Sequence, residues 1–470
     1  MARPDATKTD FTGAPIGALF ARTALPIVFL MTVSGLFNVV DAIFVGIYVG
    51  ADALAGVTVM FPIVMMSVAL ATLVANGMAS VMARQLGGEQ IDAARASLAG
   101  AHGLSVLTCA LLVILFLVGG RSVVELAANG PGALADYGYR YLAITIFTAP
   151  LAFLLSVQST ALRVEGWIGF MAITGALVTL ANIAFNFAFI AGLGWGVSGS
   201  AIGSAVAQAL GLVAILVFRA RSHGELPALR LPWQAWRTGW PRFIALGAPQ
   251  SLAFLGMSLG SATVLLTLQA LDVPDYDTTV AAYGIITRLL SFSFLGLMGM
   301  AQALQAIVGN NFGAGLHGRV AETLRIAMLC ALAYAASAEA IFVLAARPLA
   351  SLFVTDPAVI DAVGRILPMI VAAYVLAGPS VMISTHFQAM GEAGRAGLLS
   401  LSRTYLFAIP LTLTLPLVLG ETGIWLASPA AEVLMLGLTG LTLLYTARAR
   451  DYRFGLIPAE AKRGTVPTPP

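Results

Sequence analysis

The sequence predicts an all-α polytopic membrane protein in which twelve transmembrane helices form two pseudo-symmetric six-helix lobes around a central cleft. Three observations predict it. Apolar residues make up 59% of the 470-residue chain and charged residues 10%, where a soluble domain is about a quarter charged. The apolar runs are about 20 residues or longer, enough for a helix to cross roughly 30 Å of hydrocarbon, and they are continuous instead of alternating as barrel strands are. The two halves also resemble each other at a shift of about 225 residues, which is the mark of a duplication.

The first span is placed at 24–49. Arg22 precedes it and no small-residue cleavage site follows, so it reads as an uncleaved helix. Spans 54–83 and 96–118 flank the Gly-centred turn "RQLGGEQIDAAR". Spans 141–162 and 168–191 are joined by the tight turn holding Arg163, Glu165 and Gly166, whose charged pair is read as structural, and span 197–218 completes the first half. The second half repeats the plan with 244–271, 279–308, 322–346, 366–387, 397–419 and 424–447; "NNFGAGLHGRVAETLR" is the counterpart of the first Gly-centred turn. Pro26, Pro62, Pro249 and Pro410 lie in or near these spans, where a missing N–H kinks a helix. The expected organisation is an N-terminal segment 1–23, an N-lobe 24–218, a linker 219–243, a C-lobe 244–447 and a tail 448–470.

Charge sets the expected orientation. Both termini, the five linker arginines, Arg84, Arg95, Arg163, Arg319, Arg325 and Arg395 fall on one side, and the other collects only Arg121, Arg140, Arg347 and Arg365. The positive-inside rule then puts the termini and linker in the cytoplasm and the protein in the inner membrane. The two cysteines, Cys109 and Cys330, fall within spans, and the four histidines lack ligand spacing, so neither a disulfide framework nor a metal site is expected. The small positive net charge is spread over many short loops and points to no nucleic-acid partner. The expected partners are the bilayer and a small molecule, the expected working unit is a monomer, and no organic cofactor is expected. A membrane-embedded enzyme would need a nucleophile with its base or a metal cluster, and no such constellation is present.

One residue breaks the apolar pattern of the first half. Asp41, in "GLFNVVDAIFVG", is the single ionisable group between Ala24 and Gly50. A charge at mid-bilayer costs about 3 kcal/mol on insertion scales, so intramembrane acids are retained for function. The corresponding stretch of the second half, Thr263 to Thr267, is uncharged, which points to a task for one lobe only. Asn38 and Asp41 are three residues apart, and Asn182 and Asn186 four, so each pair lies on one helix face. Arg403 and Glu432 are candidates for an ion pair between helices, since intramembrane charges find partners. Asn38, Gln158, Arg288 and Met257 are candidate cleft residues, and Glu339 is a second candidate proton site.

The stretch "GLFNVVDAIFVGIYVGADALAGVTVMFPI", the Gly-rich turn after the second span, "AAYGIITRL" with "AIVGNNFGAG", and "LSRTYLFAIPL" followed by "GIWLASPAAE" resemble the multidrug and toxic compound extrusion (MATE) family. The likeness covers about residues 20–447, recurs in both halves and leans towards the DinF-like and MepA-like branch. The resemblance implies a secondary antiporter exporting organic cations or amphipathic drugs in exchange for H⁺, with Na⁺ the alternative ion. In the DinF-like pattern a first-helix Asp carries the ion, with an Asn and an Asp in helix 5 and a hydroxyl in helix 6. Here Asp41, Asn182 and Ser204 match, and Asn186 stands where many relatives carry Asp. A lipid-linked precursor flippase of the same superfamily is the alternative function; it would be expected to carry several Arg or Lys donors for a pyrophosphate.

Overall fold

The computed structural model describes the backbone of residues 8–221, 226, 233–271, 273, 275–450 and 452–458, and the side chains of 36–43, 45–47, 51, 233, 450 and 458 lie outside the described residues. The first half is built from α1 (Ile16–Tyr48), α2 (Ala51–Gly87), α3 (Ile91–Ala127), α4 (Ala133–Glu165), α5 (Ile168–Asn186) and α6 (Gly196–Arg221). The second half holds α7 (Trp240–Ala270), α8 (Tyr276–Gly313), α9 (His317–Leu344) and a short α10 (Ala346–Ser351). After these come α11 (Pro357–Val371), α12 (Ala377–Met390), α13 (Ala393–Leu401), α14 (Ile409–Thr414), α15 (Pro416–Leu419) and α16 (Glu421–Arg450), then a two-stranded hairpin of β1 (Tyr452–Arg453) and β2 (Ile457–Pro458). Among the described residues eleven helical segments are long and apolar enough to span a bilayer, and the α11–α12 pair, bent by 45°, makes a twelfth if taken as one broken span. Large apolar side chains such as Val118, 84% exposed, face outward, as lipid-facing residues do.

The helices run past the ends that hydropathy predicts. α1 starts at Ile16, not at 24, because Ile16, Leu19 and Phe20 pack into the main core before the chain enters the span. α6 continues through Arg221, and Arg219, expected in the linker, is buried with its guanidinium 2.6 Å from Glu165. The tenth predicted span, 366–387, is broken between α11 and α12 by a 3₁₀ turn over Tyr374–Leu376. Pro379 sits in the first turn of α12, where its missing N–H costs nothing. The amide of Val375, freed by the break, donates to Glu339 Oε2 at 2.7 Å, so this candidate proton site serves as the acceptor for an unwound backbone.

The two halves close against each other at one end. A continuous apolar core draws on α1, α2, α4 and α8, extends through the second half and joins both halves, whereas the buried residues of a second cluster around Met60, Leu112 and Phe153 are confined to α2, α3 and α4. Among the described residues the hydrogen bonds between halves gather at this end or near mid-helix: Arg84 Nη1 donates to the Ala389 carbonyl (2.7 Å), and Asn310 Nδ2 to the Val164 carbonyl (3.1 Å). Gly87 and Gly313 are related by the sequence repeat. A Cβ on Gly87 would collide with the Asn310 carbonyl and one on Gly313 with the Arg84 carbonyl, so the duplicated turns approach backbone to backbone. Gly87→Val or Gly313→Val is therefore expected to wedge this end open. The check is the rate at which an impermeant maleimide labels a cysteine placed at Ala83, which should rise several-fold.

The N-terminal segment straps the same end. Thr9 N–H donates to the Gly166 carbonyl in the first half (2.9 Å), while Asn311 Nδ2 and Arg319 Nη2 of the second half donate to the Phe11 carbonyl (both 3.0 Å). Asp10 holds the turn by accepting the amides of Thr12 and Gly13 at 3.0 and 2.9 Å. These bonds, that of Gly13 foremost, keep its carboxyl below the usual carboxylate range. A lowered folded pKa means the turn's contribution is present at neutral pH and is lost only as pH falls through that lowered value.

Candidate functional site

Three polar constructions stand out within the spans. The first lies between α5 and α6. Asn182 Nδ2 donates to Ser204 Oγ at 2.7 Å, and Asn186 Nδ2 donates to Asn182 Oδ1 at 3.3 Å, so the i, i+4 pair expected on one face forms a chain of amides ending on a hydroxyl. Gly203 permits it, since a Cβ there would strike Asn186 Oδ1. α5 passes directly after Asn186 into a π-turn, Phe187–Gly192, a distortion that recurs at functional sites. α1 packs on this turn: the rings of Phe44 and Tyr48 lie 6.2 and 6.3 Å from that of Phe187. The side chains of Asn38 and Asp41 fall outside the described residues. In the second half, the hydroxyls of Thr263 and Thr267 back-bond to Leu259 and Thr263 carbonyls at 2.8 Å, so that stretch satisfies its polar groups within its own helix.

The second construction is a lock between halves. Arg163, expected to serve only its own turn, is buried and reaches α8: Nη1 donates to Gln302 Oε1 (2.5 Å), and Nη2 to Asn76 Oδ1 (3.1 Å) and Gln305 Oε1 (3.3 Å). Gln305 Nε2 donates onward to Ser80 Oγ at 2.9 Å. Burying a guanidinium on neutral acceptors is tolerable only while every acceptor stays in place. Arg163→Met should therefore cost about 2–4 kcal/mol of stability, since it orphans three amide oxygens. Thermal unfolding in detergent measures this; an unchanged midpoint would mean the lock is dispensable.

The third is a cavity of about 350 Å³ in the second half, walled by α7, α8, the end of α11 with the turn that follows it, α12, α13, the segment through α14, and α16. Its charged lining residues are Arg403 and Glu432, and Arg403 Nη2 is ion-paired with Glu432 Oε1, the pairing expected from the sequence. Arg403 sits in a second π-turn, Ser402–Ala408. Tyr374 on the broken span and Ser293 of α8 share a hydrogen bond of 3.0 Å at the wall, and Tyr283 lies 3.5 Å from Ser261. Of the expected cleft residues, Met257 is on this wall. Arg288 is exposed and is not among the lining residues, although its neighbours Thr287 and Leu290 are. Gln158 is buried in the first half, 3.0 Å from His102 Nε2, where it braces α4 against α3. Tyr283, Tyr374, Gln250 and Gln388 line the cavity without any prior signal, because single aromatics and amides at helical spacing look like packing residues.

Among the described residues no group of three His, Cys, Asp or Glu side chains is placed to hold a metal, and Cys109 and Cys330 are unpaired.

Comparison with known proteins agrees with this architecture. A family model described as MatE matches residues 26–188 and 249–414. An FAD transporter of Shewanella oneidensis is 25% identical over 442 residues, 93% of this chain and 95% of the relative. The multidrug export protein MepA of Staphylococcus aureus is 21% identical over 448 residues, 94% of this chain and 96% of the relative. Two solved structures superpose with TM-scores of 0.82, each covering 92% of this chain and 96% of its own: a MATE in the straight conformation (21% identical) and an outward-facing multidrug resistance MATE family transporter (20% identical).

Proposed function

The chain belongs to the MATE family of multi-pass membrane transporters, and on that premise we propose that it exports organic cations or amphipathic compounds in exchange for H⁺, with Na⁺ the alternative ion. The observation that carries the reading is the Asn186–Asn182–Ser204 chain between α5 and α6, in a protein whose first helix holds one acid in its sequence. Phe44 and Tyr48 of that first helix lie against the π-turn that follows Asn186. A proton taken by Asp41 from outside would remove its negative charge and re-set α1; release to the cytoplasm would return it. Coupling requires that proton and substrate favour different states. The lobes 24–218 and 244–447 are proposed to move about the closed end, which is cytoplasmic if the termini lie there as charge predicts. A monomer is proposed to be sufficient for the cycle.

A flippase handling a lipid pyrophosphate would want several free cationic donors. The described lining of the cavity holds a single guanidinium where a pyrophosphate calls for several cationic donors, which supports the exporter reading. The FAD transporter among the relatives adds flavin-type compounds to the substrates worth testing. The test is transport in proteoliposomes under imposed pH or sodium gradients with a panel of fluorescent amphipaths. Uptake driven by a pH gradient alone is expected; drive by sodium alone would reassign the ion, and no transport of any compound would defeat the exporter reading.

A further inference from the structure

The second-half cavity has a polarity that bears on what it binds, and this inference deepens the exporter reading on which it rests. Among the described lining residues the charges are Arg403 and Glu432, and the two are unequally placed: the arginine side chain is 29% exposed and the carboxylate 3%. Both residues border the cavity; Glu432 is the buried member that fixes the pair, and Arg403 is the member left accessible. A guanidinium offers five N–H donors in a planar fork, and one Arg403 nitrogen is engaged by Glu432. A cation entering this space meets the exposed end of a like charge and no accessible carboxylate, which is discrimination by repulsion. A carbonyl oxygen meets unused donors in a partly dry site, where a charge-assisted hydrogen bond is strong.

The rest of the wall favours a flat, uncharged body. Phe254, Tyr283 and Phe294 are half-buried and present rings, with the Met257 thioether beside them. The two tyrosine hydroxyls have wall partners in Ser261 and Ser293. A volume of about 350 Å³ lies within the range of small-molecule sites. We propose that this cavity selects uncharged planar aromatic compounds that offer carbonyl acceptors to the Arg403 guanidinium, in preference to organic cations.

The experiment is equilibrium dialysis of the purified full chain in detergent, with no gradient applied, against lumiflavin and separately against ethidium. Lumiflavin is a neutral tricycle with two ring carbonyls; ethidium is a cationic tricycle of similar span. Lumiflavin is expected to bind at least tenfold more tightly. Arg403→Gln should weaken lumiflavin binding by about 10- to 100-fold and leave ethidium unchanged or improved. Should that variant fail to fold, the double replacement Arg403→Leu with Glu432→Leu removes both charges together and should show the same loss. Equal or tighter ethidium binding, or lumiflavin affinity within twofold of wild type in either variant, overturns the proposal. Because binding is measured without a gradient, failure of coupled transport in proteoliposomes would strike the antiporter reading and leave this result standing.

Discussion

Asp41→Asn is expected to abolish transport driven by a pH gradient while the protein still folds and inserts. Asn has almost the shape of Asp and keeps a side-chain acceptor, so the first span retains its packing, but it carries no proton through the cycle. Replacement of an intramembrane acid by an amide also removes a charge that costs about 3 kcal/mol to bury, so stability should rise or stay level. That sign separates a working residue from a structural one. The measurement pairs thermal unfolding in detergent with proton-driven export of a fluorescent amphipath from proteoliposomes. If the Asp41→Asn carrier still moves its substrate against a gradient, the coupling site lies elsewhere. Asn182→Leu, which breaks the amide chain to Ser204, is expected to shift the pH midpoint of transport without eliminating it.

Glu432→Leu is expected to destabilise the second half. It leaves the Arg403 guanidinium without its partner; a fully buried pair broken at one end costs about 3–5 kcal/mol, and the 29% exposure of the Arg403 side chain puts the expected loss here below that range. Adding Arg403→Leu should recover most of that loss, because a pair replaced as a unit by apolar side chains is often neutral. The double-mutant cycle in detergent measures the coupling; additive losses would show that the two charges do not stabilise each other. The pair bridges the π-turn after α13 to α16.

Much of the fold was legible because a bilayer imposes a local rule. A span needs enough consecutive apolar residues whatever its neighbours are, so eleven spans appear where hydropathy puts them and the twelfth is found as a bent pair. The ends of helices were less legible. Outside the hydrocarbon a helix continues while it has a surface to pack on, as α1 does through Ile16, Leu19 and Phe20. The break at Tyr374–Leu376 escaped notice because its support, the Glu339 carboxylate, is 36 residues away along the chain. At the candidate site, the Asn182–Asn186 face followed from helical periodicity and the Ser204 contact came from a family resemblance. The aromatic and amide residues of the second-half cavity had no local pattern to betray them.

By itself the sequence determined that the protein lies in a membrane as a duplicated set of helices, and that Asp41 is an acid without a counterpart in the second half. Length, apolarity and repeat are properties of the chain read along its own axis, and they need no partner. Tertiary structure decided which polar groups meet. Arg163 could have served its own turn, as Glu165 and Arg219 serve the α4–α6 contact, yet it crosses to Gln302 and Gln305 of the other half. Glu432 and Arg403 form a pair with one face buried and one open. In lipid a buried polar group takes whatever partner packing brings within reach, and packing is set by glycine contacts such as Gly87 and Gly313, more than 200 residues apart in the chain.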